Sequence, residues 1–127
     1  GALIIDDAYN ANPEAVKAAI ATLASFDGKR KVLVMGEMLA LGDVAHARHY
    51  EVGQRAREAG IDALYAVGDL CTPMVQAFGE GGQHFATQAS LVVALQDVVG
   101  EKDVVLVKGS RASAMDAVVV ALCDTKT

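Results

Sequence analysis

Four short apolar runs limit what this chain can fold into: Ala2–Ile5, Val32–Met35, Ala63–Val67 and Val104–Val107, with a briefer fifth segment at His84–Phe85. Each run is too short for a buried helix, and its side chains are apolar at consecutive positions. A strand of that kind needs cover on both faces, which is the condition of a parallel sheet. The stretches between them repeat at helical spacing. Pro13–Phe26 carries Val16, Ala19, Ile20 and Leu23 on one stripe, and a helix from about Val44 to Ala59 turns Val52, Ala56 and Ala59 inward. A short helix near Pro73–Phe78 follows, then one capped by Thr87 with Leu91, Val92, Leu95 and Val98, and a last one with Met115, Val118, Val119 and Leu122. Gly28, Gly60 and Gly100 stop helices. The reading is one domain over residues 1–127: α/β, three-layer and Rossmann-like, a mostly parallel sheet with helices on both faces. Lys29-Arg30-Lys31 reads as an exposed turn and Gly79–Gly82 as the loosest segment.

Composition narrows the partners. A net charge of −5 and a pI near 5.0 disfavour a phosphate backbone, so no nucleic acid is expected. No apolar run approaches the roughly 20 residues a membrane span needs. Cys71 and Cys123 form neither a CxxC pair nor a disulfide framework, which suits a cytoplasmic protein. The chain opens on Gly1 and enters a strand almost at once, without a charged leader, which suggests a domain of a longer protein.

In a parallel sheet all strand C-terminal ends share one edge, and ligands bind there. The residues at those ends are Asp6-Asp7, Gly36-Glu37, Gly68-Asp69, Thr87 and Lys108-Gly109-Ser110-Arg111. Acids, small residues and a Lys/Arg pair converge from distant segments. The first strand-to-helix turn, Asp6–Pro13, holds no glycine, so the GxGxxG cradle is missing, and GxxxxGK[ST] is missing throughout. A nucleotide here would not be wrapped by its phosphates. Carboxylates suit ribose hydroxyls instead, which are donors in need of acceptors. Tyr9, Asn10 and Asn12 border that position, with Asn12 also able to cap the helix that Pro13 starts. Lys108 and Arg111 suit a carboxylate or phosphate. His46 and His49 stand three apart with no third ligand at matching spacing, so no metal site is read. His49 is expected to hydrogen-bond near the Glu37 loop or to be exposed, and His84 to be a structural strand residue.

Three ordered motifs, Asp6-Asp7-Ala8-Tyr9-Asn10-Ala11-Asn12-Pro13, Gly36-Glu37-Met38-Leu39-Ala40-Leu41-Gly42 with His49 downstream, and Lys108-Gly109-Ser110-Arg111 with Met115, resemble the C-terminal domain of the Mur ligases. The DDxYNANP form points to the dipeptide-adding branch. The resemblance implies the third domain of a three-domain, ATP-dependent amide-forming ligase of peptidoglycan synthesis, inactive as an isolated fragment. Its substrates would be UDP-N-acetylmuramoyl-tripeptide and D-alanyl-D-alanine. ATP and Mg²⁺ would be held mainly by the central domain, and the other two domains would be the partners of this one. The carboxylate of the first substrate is phosphorylated in that family, and the incoming amine attacks the acyl phosphate. Carried over by residue, Asp7 would accept from the ribose, with Tyr9, Asn10 and Asn12 along the nucleotide edge. Lys108, Ser110 and Arg111 would face the dipeptide carboxylate. Glu37 and His49 match the middle motif without a named role, and no catalytic residue is assigned.

A signalling alternative uses the same rim. Receiver domains place an acidic pair after the first strand, a phosphoacceptor Asp after the third, Thr or Ser after the fourth and Lys after the fifth. Asp6/Asp7, Asp69 with Pro73, Thr87 and Lys108 imitate that set, whereas the Asp6–Pro13 turn and the Gly36–Gly42 loop have no place in it. A blander option is a nucleotide-binding-like domain that only provides an interface.

Overall fold

The computed structural model describes residues 3–7, 12–109 and 115–124. Five parallel strands, β1 (Leu3–Asp7), β2 (Arg30–Met35), β3 (Ala63–Val67), β4 (Gly82–Phe85) and β5 (Asp103–Lys108), form one sheet in the order β1-β5-β2-β3-β4. Between them run α1 (Pro13–Ala24), α2 (Ala45–Glu58), α3 (Thr72–Phe78) and α4 (Gln88–Val98), and α5 (Asp116–Asp124) follows β5. The α/β reading with helices on both faces therefore holds.

Strand alternation sorts the core into two halves. Leu33, Met35, Leu64, Ala66, Val104 and Leu106 face α1, α2 and α3, meeting Val16, Leu23, Val52, Met74 and Phe78. Val32, Val34, Tyr65, Val105 and Val107 face α4 and α5, meeting Leu91, Leu95, Val118 and Leu122. On α4 the buried stripe stops at Leu95; Val98 is exposed and Val99 packs in its place. Gly53 lets α2 and α3 touch, since a Cβ there would lie 2.1 Å from the Met74 carbonyl oxygen.

Two expectations fail at the strand starts. Of Lys29–Lys31 only Lys29 lies in an exposed bend: Arg30 and Lys31 open β2, and Arg30 pairs with Asp103, its register partner on β5. Backbone ladder bonds are indifferent to side-chain polarity, so a strand continues past its apolar run wherever the charges can be matched. Gly79–Gly82 is likewise a tight turn and not a loose one. The Gly82 N–H donates to Gly79 O at 3.0 Å, the Leu64 N–H to Gly81 O at 3.0 Å, and a Cβ on Gly81 would lie 2.9 Å from Asp62 O.

Candidate functional site at the C-terminal edge

The connections leaving β1 and β2 lead to helices on one face, and α5, after β5, lies on the other. The chain therefore parts over the C-terminal end of β5, where a parallel sheet offers its crevice. Lys108 stands there, flanked in register by Asp7 of β1 and Met35 of β2. Asp6, Asp7 and Lys108 are strand residues and not loop residues as the apolar runs implied, for the same ladder reason as at Arg30. Asp6 is exposed, whereas Lys108 is 3% exposed, so its ammonium is inside the rim.

Asn12 begins α1. Its Oδ1 accepts the Ala15 N–H at 2.8 Å and its backbone carbonyl accepts the Val16 N–H at 2.9 Å, so the capping half of its expected role is realised. Asn12, Pro13, Glu14 and Lys17 of α1 and Arg48 and Glu51 of α2 line an open cleft of about 540 Å³. Arg48 and Glu51, an ion pair one turn apart on α2, were not singled out in sequence; their i,i+3 spacing was the available signal. Of the other expected site residues, Tyr9, Asn10, Ser110 and Arg111 lie outside the described residues, as does the side chain of Asp7.

The Gly36–Gly42 loop is held at three consecutive residues by three different elements. The Gly36 N–H donates to Lys108 O at 2.8 Å. The Glu37 carboxylate accepts the Leu70 N–H at 2.9 Å and lies over Gly68, whose φ of +108° and lack of a Cβ leave it room. The Met38 N–H donates to His49 Nε2 at 3.0 Å. His49 is fully buried, and its Nδ1–H donates to Ala45 O at 2.7 Å, so the two partners together require the neutral Nδ1–H tautomer. Burial lowers the His49 pKa; the Ala45 carbonyl and Glu37 oppose that in part, and His46 adds to it. Ala40 in the same loop has φ of +61°, a left-handed conformation unusual for a residue with a Cβ. Burial also pushes the nearby Cys71 thiol up to about 12, with Glu37 adding to the shift, so it stays neutral and unreactive. His84 donates from Nε2 to Gly68 O at 2.7 Å, bracing the β3 end from β4.

Among the described residues the rim carries the exposed Asp6 carboxylate, a group that can accept from hydroxyl donors, and the buried Lys108 side chain. Among the described residues no group of three or more His, Cys, Asp or Glu converges as a metal site, so no step through a metal is assigned to them. Nor does the receiver reading fit: β5 and β2 stand between β1 and β3. At roughly 4.8 Å per strand, the acidic pair and Asp69 are on the order of 14 Å apart, too far to share one phosphoryl group.

Residues 1–111 match the model of the Mur ligase, glutamate ligase domain. The chain is 42% identical over 127 residues to UDP-N-acetylmuramoyl-tripeptide–D-alanyl-D-alanine ligase of Escherichia coli K12, covering 98% of this chain and 28% of that protein. The Bacillus subtilis 168 ligase of the same description is 31% identical, covering 98% of this chain and 29% of that protein. Two crystal structures superpose well: MurF ligase from Thermotoga maritima in complex with ADP (TM-score 0.79, 31% identity, 96% of this chain and 28% of that one) and MurF from Acinetobacter baumannii (TM-score 0.84, 31% identity, 95% and 27%). The chain thus spans between a quarter and a third of the length of these relatives. With the family model matched across both flanks of the rim, from Asp6–Pro13 to Lys108–Arg111, the chain belongs to the Mur ligase family, as its glutamate ligase domain.

Proposed function

We propose that this is the C-terminal, third domain of an ATP-dependent ligase that adds D-alanyl-D-alanine to UDP-N-acetylmuramoyl-tripeptide in peptidoglycan synthesis. The observation that carries the reading is 42% identity, over 98% of this chain, to a ligase of that description. Two features are consistent with it: the rim carries an exposed carboxylate and a buried lysine among the described residues, and the sequence holds neither GxGxxG nor GxxxxGK[ST]. In this reading the cradle, the Mg²⁺ site and the UDP-sugar pocket belong to the two other domains. ATP phosphorylates the tripeptide carboxylate there, and the dipeptide amine displaces phosphate from the acyl phosphate to form the amide.

This domain's part is positioning and the exclusion of water from a hydrolysable intermediate. Asp7 accepts from the ribose hydroxyls, with Tyr9, Asn10 and Asn12 along the nucleotide edge; the ADP-bound Thermotoga structure is consistent with nucleotide use by such an enzyme. Lys108, Ser110 and Arg111 receive the dipeptide carboxylate. Substrates of this kind, ATP and a uridine nucleotide, make the working compartment the cytoplasm. Among the described residues no helix is long and apolar enough to cross a membrane.

Phosphate release by the full-length chain, supplied with ATP, Mg²⁺ and both substrates, tests the reading. Release should require the tripeptide and the dipeptide together, and the 127 residues alone should give none. Release without the dipeptide, or amide formation by the isolated domain, contradicts it.

A further inference from the structure

The middle motif has no role so far, yet three of its residues are each tied to a different element. Gly36 bonds to the Lys108 carbonyl, Glu37 to the β3–α3 connection, and Met38 to α2. β2 stands between β5 and β3, so the loop leaving it spans the middle of the edge. Met38, held by His49, is two residues from Gly36, whose N–H donates to the Lys108 carbonyl.

We propose that His49 is a positioning residue for the ligase reaction: as a neutral acceptor for the Met38 N–H, it holds the Gly36–Gly42 loop and, through Gly36, the end of β5 in the geometry that receives the dipeptide carboxylate. This rests on the function proposed above. Three observations carry it. His49 is fully buried with both ring nitrogens bonded, each to a backbone group. The loop contains Ala40 in a left-handed conformation, which persists only when surrounding contacts impose it. Finally, Met38 is fully buried, so its N–H, deprived of His49, would be buried without an acceptor.

Protonation would place a hydrogen on Nε2 and replace the acceptor by a donor facing the Met38 N–H. The surroundings do not favour it. Among the described residues Glu37 on the loop is the one carboxylate acting on the ring, and His46 on the same helix opposes it. From α1, Glu14 and Lys17 pair with each other. Asp43 before α2 and Asp69 after β3 are exposed, Cys71 is a neutral thiol, and α3 carries no charged residue.

The test compares full-length wild type with His49→Phe and His49→Gln. Gln keeps a neutral acceptor near the Nε2 position and does not titrate. Expected for His49→Phe are faster exchange of the Met38 amide and a KM for the dipeptide raised about tenfold, with KM for the UDP-tripeptide within about twofold. His49→Gln should restore both. The ratio of the wild-type dipeptide KM to that of His49→Gln, which cancels the titration of the dipeptide's own amine, should rise as pH falls through the lowered folded pKa of His49. If His49→Phe does not fold, that pH comparison decides alone. Unchanged dipeptide KM in folded His49→Phe, or the same acid rise in wild type and His49→Gln, overturns the proposal. A wild-type chain that ligates no dipeptide retires the functional reading and this role with it. That outcome is recognisable because Met38 exchange would still separate the variants.

Discussion

The two edges of one sheet set their charged residues in different surroundings. At the N-terminal edge the charges are matched within the domain. Arg30 donates from Nε and Nη2 to the two oxygens of Asp103 at 2.9 and 3.3 Å, the Gly100 N–H adds a bond at 2.8 Å, and Asp62 accepts the Lys31 N–H at 2.8 Å. Burial alone would raise the Asp103 pKa, but Arg30 and the Gly100 N–H together hold it below the ordinary value. At the C-terminal edge Asp6 is exposed, a cleft opens beside Asn12, and the strained Ala40 sits in the loop between. The backbone ladder is the same at both ends. In the function proposed above, one edge closes the fold, while the other serves ligands outside it.

Replacing Lys108 by Met keeps the buried stem and removes the charge, which is the strongest way to break that contrast. In the full-length enzyme it should lower kcat/KM for the dipeptide about 100-fold, as for loss of a charge-assisted contact, with a small change in melting temperature. Asp103→Ala should do the reverse. It should cost about 1–3 kcal/mol of stability in denaturant titration and leave kcat/KM within about twofold. The lower end applies because Arg30, 39% exposed, can rehydrate.

Acidification should separate the edges by pH. The folded pKa of His49 lies below 6.5, so below that value the unfolded chain binds more protons and stability falls with pH. Its contribution is complete above 6.5 and lost as pH drops through the folded value. The folded pKa of Asp103 lies below 3.8, so its contribution is complete above 3.8 and lost only in stronger acid. Amide exchange measured between pH 7 and pH 4 should therefore loosen Met38 first and Gly100 last. The smallest expected effect is Ala40→Gly, which removes left-handed strain and should raise stability by about 0.5–1 kcal/mol.

Much of this was readable from residue order. Four apolar runs and the brief His84–Phe85 segment located the five strands, with β3 matched end to end, and the Asn12-Pro13 and Thr87 caps gave the starts of α1 and α4. Strand ends were underestimated wherever charge began, at Arg30, Asp103, Asp6, Asp7 and Lys108, because apolarity reports side-chain burial and not backbone pairing. The order β1-β5-β2-β3-β4 was not legible, since nothing local in β5 says that it inserts between β1 and β2. At the site, the motifs all fall at one edge, but only the fold shows that Gly36, Glu37 and Met38 reach three separate elements. His49 near the Glu37 loop was one of two readings, and burial at the loop's base decided it.

The most direct test of an outward-facing and an inward-facing edge pairs Asp7→Ala with Asp103→Ala in the full-length enzyme, measuring KM for ATP and the denaturation midpoint on the same preparations. Expected are a KM for ATP raised about tenfold with an unchanged midpoint for Asp7→Ala, and the opposite pattern for Asp103→Ala. An unchanged KM for ATP in Asp7→Ala, or a KM change shared equally by both variants, would contradict it.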